Sequence, residues 1–324
     1  MRDTACAIDR RREVDAVHPA IGRALSAFDQ PLASSAEGLA RALLEARAGR
    51  TPPGRWGGSP LTGDGFPFEL AFCTADHRLR FTVEPGAPDL EPSNRLDAAN
   101  AVLRRLGAEA MPADLLEACR AMQGQGPLKY GAWISCRVGA EGCAFKRYVE
   151  VPAEAQGPLT QAPVRLPDRV VLMRMIGYSA GAETVETYAR ISSLEPRHVA
   201  AVLAPAGLEA RAAECLAFIE AAYGHTIRGR LPGPSVGVSY VRGPGAAPRV
   251  TLHFYARALW GSDARIRTRF SCIAAAFGWN PDVYLRVTEP MHAREDWKTF
   301  HGLLGITLDP SGMSLTIGVR PVIS

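Results

Sequence analysis

The chain has 324 residues, 47% hydrophobic and 22% charged, with a formal net charge of +4; it is long enough for one large domain or two small ones around a substantial core. No block of Lys and Arg points to a nucleic-acid partner, and no apolar run approaches the roughly 18 residues of a membrane span. Seven scattered cysteines without a C-x-x-C pair argue against a disulfide framework or a zinc site. The N-terminus lacks the apolar core of a secretory signal, so a cytoplasmic protein with reduced thiols is expected. In chain order, residues 14–48 carry helical patterning, with a capping-box signature at Ser34-x-x-Glu37, and a Pro/Gly-rich loop runs over 51–60. Phe68 to Pro85 then reads as a hairpin turning at Thr74–His77. Helices are expected over 93–106 and 113–122. Further hairpins follow over 129–151, 169–191, 235–257 and 301–322, with helical sequence at 196–223 and 262–278.

All five hairpins are two-faced. Phe68, Leu70 and Phe72 share one side of the first strand and Glu69, Ala71 and Cys73 the other; Leu79, Phe81 and Val83 oppose Arg78, Arg80, Thr82 and Glu84. The fourth strand sets Phe145, Val149 and Val151 against Lys146, Tyr148 and Glu150. The sixth sets Val185 and Ile191 against Glu186, Tyr188 and Arg190. The eighth sets Val250, Leu252 and Phe254 against His253, Tyr255 and Arg257, and the tenth Leu315, Ile317 and Val319 against Ser314, Thr316 and Arg320. Ten antiparallel strands seldom stay open, and closure removes the edges. Amphipathic helices need an apolar surface to cover, so the apolar faces are expected outside and the polar faces within. The fold expected is α+β: a ten-stranded antiparallel barrel of five hairpins, ringed by helices, with a solvent-filled lumen. Residues 1–324 form one domain in this reading, with 1–60 packing outside the barrel.

Short motifs on successive strands then carry a resemblance. They are Glu69 with Arg80 in Arg-Phe-Thr-Val-Glu-Pro, Lys146-Arg-Tyr148, Glu186-Thr-Tyr188-Ala-Arg190, His253-Phe-Tyr255 and the closing Gly-Val-Arg320-Pro. In this order the chain resembles the prenyltransferase-barrel (ABBA) family of aromatic prenyltransferases, over roughly residues 69–321. In size it looks closer to the cyanobactin-type enzymes that prenylate ribosomally made peptides than to the fungal tryptophan enzymes. The resemblance implies transfer of a dimethylallyl or geranyl group from its diphosphate to a peptide side chain or a small aromatic acceptor, through an allyl cation.

On that resemblance Glu69 is the acceptor-positioning catalytic base. Arg80 and Lys146 hold the diphosphate, joined by Arg190, Arg257, Arg320 and His253. Tyr148, Tyr188 and Tyr255 shield the allyl cation. Family members often carry lysine where this sequence has Glu186, which leaves two expectations: Mg²⁺ held by Glu186 against the diphosphate, or a carboxylate for a cationic acceptor. Arg147, on the outward face, is expected in an ion pair outside the barrel, and Asp263 and Asp282 as helix-start residues. No D-D-x-x-D metal box occurs. The competing reading is a non-enzymatic barrel that stores a small ligand; a purely structural scaffold would have an apolar lumen instead.

Overall fold

The alternating segments pair antiparallel along the whole circuit. In the computed structural model, which describes residues 20–44, 58–295 and 299–322, ten strands close into a barrel in the order β1-β10-β9-β8-β7-β6-β5-β4-β3-β2. They are β1 (Phe68–Cys73), β2 (Leu79–Val83), β3 (Ala132–Gly139), β4 (Gly142–Glu150), β5 (Val171–Ser179), β6 (Thr184–Ser192), β7 (Ser235–Arg242), β8 (Val250–Tyr255), β9 (His301–Asp309) and β10 (Gly312–Val319). Closure comes from β1 against β10, with Leu70 opposite Val319 and Phe72 opposite Ile317.

The apolar faces point outward under the helices, as the patterning requires. Phe68, Leu70, Phe81, Ile134, Val149, Val238, Leu252, Phe254, Ile306 and Ile317 are all fully buried there. Covering them are α1 (Gln30–Leu44), α2 (Arg95–Arg105), α3 (Ala113–Gln123), α4 (Val199–Leu203), α5 (Ala212–Tyr223), α6 (Ala256–Trp260), α7 (Asp263–Ala276) and α8 (Asp282–Val287). α1 lays Ala33, Ala36, Ala40, Leu43 and Leu44 against the barrel. None of the described helices is long and apolar enough to cross a membrane.

Tight turns join strands at one end of the barrel, and helix-bearing segments join them at the other. These ends are the hairpin mouth and the helix mouth.

Several local expectations differ from the structure. α1 begins at Gln30, with Pro31 in its first turn, where a missing N–H costs nothing. Ser34 is therefore inside the helix and caps nothing; residues 14–19, 45–48 and 51–57 lie outside the described residues. Glu84 has left the lumen: it follows β2, is buried, and pairs with Arg95 on α2 at 2.7 Å. Glu150 closes the end of β4 by accepting backbone N–H groups from Lys129, Tyr130 and Gly131 at 2.9, 2.7 and 2.7 Å. Arg147 does lie outside the barrel, but its partners are neutral: Asn100 Oδ1 at 2.8 Å and the Glu109 carbonyl at 2.7 Å. Asp263 does more than start α7. It accepts the backbone N–H of Phe300 and contacts His301 Nδ1 at 2.6 Å, while His301 Nε2 meets the Tyr284 hydroxyl at 2.9 Å.

Candidate active site

Period-two alternation carries Glu69 onto the inner face of β1, opposite Thr82. Its carboxylate lies against bare backbone. A Cβ at Gly318 would come within 2.5 Å of Glu69 Oε1, and one at Gly302 would also overlap that oxygen. A register shift in β10 between Ile317 and Val319 sets Gly318 there. Burial away from water pushes the Glu69 carboxyl up to about 7.

Arg80 lies diagonally from Glu69, opposite Ala71 on one side and Arg137 of β3 on the other. Its Nη2 donates to Asp76 at 2.5 Å in the hairpin turn, while its Nε is buried with no acceptor among the described residues.

Around the middle of the wall, Lys146 Nζ forms an ion pair with Glu186 and donates to the Tyr188 hydroxyl at 3.1 Å. The same ammonium stands 5.4 Å from the Tyr148 ring and 5.5 Å from the Tyr188 ring, within cation–π range. These two rings meet edge to face at 5.7 Å. Gly177 lies opposite both Tyr148 and Glu186, where a Cβ would overlap the Lys146 stem.

Burial would raise the Glu186 carboxyl, but Lys146 and hydrogen bonds from Lys146, Ser239 and Tyr188 outweigh it and hold the group at about 2. Ser239 donates to Glu186 Oε1 at 2.6 Å, so its oxygen is free to accept from His253 Nε2 at 3.2 Å. Burial lowers His253 to about 4, leaving a neutral ring at pH 7. Without a ligand it is thus a neutral ring, packed 5.9 Å from Tyr188, and adds no standing positive charge to the lumen.

Arg190 and Tyr255 meet at the helix mouth, where Arg190 Nη2 donates to the Tyr255 hydroxyl at 2.6 Å. Tyr255 is 45% exposed; Leu303, opposite it, is 44% exposed, and Leu172, opposite Arg190, is 43% exposed. Tyr255 thus stands at the rim, apart from the Tyr148–Tyr188 pair. Two expected residues leave the lumen. β8 ends at Tyr255, which places Arg257 on α6 with its side chain exposed. Arg320 follows β10 and is 7% exposed; its Nη2 pairs with Asp64 at 2.5 Å between the rings of Phe66 and Phe300. Its role is to fasten the end of β10 to the segment before β1.

The donor set for a divalent cation is also poor. Lys146 already neutralises Glu186, and the described residues hold no cluster of three or more His, Cys, Asp or Glu suited to a metal.

The strands between the motif-bearing ones supply what the sequence reading missed. β3 brings Trp133 opposite Tyr148, Ser135 opposite Lys146 and Arg137 opposite Arg80, and β7 brings Ser239. The alternation Trp133-x-Ser135-x-Arg137, between Ala132, Ile134, Cys136 and Val138, was a usable signal for the β3 residues. The inward glycines gave none, since their contribution is space.

No protein-family model matches the sequence, and no curated protein matches it either. Solved structures do. A 6-dimethylallyltryptophan synthase from Micromonospora olivasterospora, in complex with DMASPP and Trp, superposes with a TM-score of 0.72 at 18% identity, covering 96% of this chain and 99% of that one. The apo form of the prenyltransferase PriB gives 0.71 at 17% identity, covering 95% and 96%. AnaPT from Neosartorya fischeri gives 0.68 at 12%, covering 96% and 94%. The closed ten-stranded antiparallel barrel ringed by helices is thus the fold of the ABBA prenyltransferases.

Proposed function

We propose that the lumen is the reaction chamber of a prenyltransferase, moving an isoprenoid group from its diphosphate to an electron-rich aromatic acceptor. The observation that carries this reading is Glu69: a glycine-cradled carboxyl with its pKa near neutrality, set diagonally from Arg80 on the same inner wall. A storage barrel for greasy ligands has no use for that arrangement.

In this scheme the C–O bond of the allylic diphosphate breaks and its electron pair leaves with the diphosphate. Arg80 stabilises that developing charge, with Lys146 as a flanking cation. The Tyr148 and Tyr188 rings face the allyl cation and exclude water. The acceptor supplies the electron pair for the new bond, and the proton it sheds passes to ionised Glu69. Mg²⁺ enters no step, because Glu186 already serves as the counter-charge of Lys146.

The M. olivasterospora complex contains Trp and a dimethylallyl diphosphate analogue, which favours dimethylallyl as donor and a small aromatic acceptor here. The exposed rim of Leu172, Tyr255 and Leu303 favours a second reading, a peptide whose body rests outside the helix mouth. The test is mass spectrometry of purified protein with dimethylallyl or geranyl diphosphate, with and without EDTA, against free tryptophan, free tyrosine and peptides containing them. Gain of one isoprenoid unit on free tryptophan or tyrosine supports the first reading, and gain on peptides alone the second. Donor binding without product on any acceptor would return the barrel to a carrier.

A further inference from the structure

Two residues of β9 stand against one of β10. Ile317 pairs with Leu304 and Val319 with His301, so Gly302 and Leu303 share the span opposite Gly318. The extra residue makes a β-bulge, which changes the way the start of β9 faces. In an unbroken ladder Val319, on the outer face opposite Leu70, would pair with Gly302 and turn it outward. With the bulge, His301 takes the outer place and Gly302 turns to Glu69, where a Cβ would overlap Glu69 Oε1. The bare backbone beside Glu69 is thus set by the register of His301.

That register is held from outside the barrel. Asp263, at the first position of α7, accepts the backbone N–H groups of Phe300 and His301 at 3.0 and 3.2 Å, and contacts His301 Nδ1 at 2.6 Å. A carboxylate only accepts, so Nδ1 carries the proton, and Nε2 is left to accept from the Tyr284 hydroxyl at 2.9 Å. The His301 and Asp263 side chains are 0% and 1% exposed. Tyr284 is also fully buried and packs edge-on against Phe72 of β1 at 5.3 Å. Such a buried polar network rigidifies its surroundings when every member is satisfied, as here. Sealed beneath the helices, none of the three can touch a substrate.

We propose that Tyr284, His301 and Asp263 are positioning residues for Glu69: from the outer face they fix the β9 bulge, so that Gly302 backs the carboxyl and water stays out. This rests on the prenyltransferase reading, in which Glu69 takes the acceptor's proton, and adds to it the residues that place that base.

The test follows the Glu69 carboxyl itself, through the infrared C=O band that appears on protonation and is missing in Glu69→Gln. In wild type this band should titrate at about 7. His301→Leu removes both side-chain contacts; the bulge can slip, water reaches Glu69, and the midpoint should move down toward 4.5. Transfer should lose about tenfold in kcat with the KM for the diphosphate donor unchanged, a split that a general loosening of the barrel would not give. His301→Asn, whose amide N–H can replace Nδ1–H at Asp263, should recover most of both. Tyr284→Phe keeps the ring against Phe72, so it should fold even where His301→Leu does not, and it should shift the midpoint the same way by less. A midpoint still at about 7 in folded His301→Leu or, failing that, in Tyr284→Phe would overturn the proposal. So would a wild-type midpoint near 4.5. A wild type that forms no product yet shows these shifts would overturn the prenyltransferase reading and leave the positioning of Glu69 standing.

Discussion

Glu69 and Glu186 are both glutamates on the inner wall of one barrel, and their chemistry is opposite. Glu69 meets glycine backbone, and burial pushes it up to about 7. Glu186 meets Lys146, Ser239 and Tyr188, which overcome burial and hold it at about 2. The first can take and release a proton near neutral pH, whereas the second is a fixed anion. What separates them is which side chains reach the carboxylate, since residue type and strand face are the same.

The largest effect should come from breaking the Glu186 side. Lys146→Met leaves a buried carboxylate without its cation and is expected to cost on the order of 3 kcal/mol in denaturant unfolding. Lys146→Met combined with Glu186→Leu should recover most of that loss; a double variant as weak as the single one would show that the pair is not what holds this wall. The pH dependence follows the same logic. Glu186 is depressed below its ordinary 4.5, so the stability it contributes is present above that value and lost as pH falls through about 2.

Glu69 carries the opposite sign. Its raised pKa means that its contribution is present below 4.5 and lost as pH rises through about 7. Glu69→Gln should therefore be more stable than wild type above pH 7 and equal to it below pH 4.5. In the proposed scheme prenyl transfer uses the ionised form, so it should rise through about pH 7 in wild type and fall roughly a hundredfold in the variant. Melting curves and initial rates across pH read both.

Gly318→Ala sharpens the comparison without touching either charge. The added methyl displaces the Glu69 carboxylate, and transfer should fall about tenfold. Unchanged kcat and an unchanged pH profile would show that the cradle does not position Glu69. The smallest expected effect is Tyr188→Phe. The ring stays, the contact to Lys146 Nζ goes, and stability should drop by about 1 kcal/mol.

The barrel was legible in the sequence because both of its faces are written in period two. Phe68-x-Leu70-x-Phe72 and Leu79-x-Phe81-x-Val83 state which side the helices cover. Glu69, Lys146, Tyr148 and Tyr188 followed from the same parity. Strand ends were less legible, because parity continues through a residue that has already left the sheet. Arg257 and Arg320 keep the alternation of β8 and β10, yet one sits on α6 and the other beyond the last ladder pair. Partnership was not legible either. The spacing that puts Glu186 on the inner wall says nothing of Lys146, forty residues earlier, which a separate hairpin brings to it.

The pairing of β1 with β10 has a consequence for how the chain reaches its structure. Leu70 meets Val319, the Thr74 amide donates to the Leu315 carbonyl at 2.8 Å, and Arg320 reaches back to Asp64. The first strand made on the ribosome has to wait for the last. Until then β1 presents an apolar edge that can pair with another chain. Contacts of such long sequence separation slow folding, since loop closure precedes the reward. Chains stopped before β10 are expected to aggregate even though nine strands are present, and refolding should end in a late step in which the two termini of the sheet lock together.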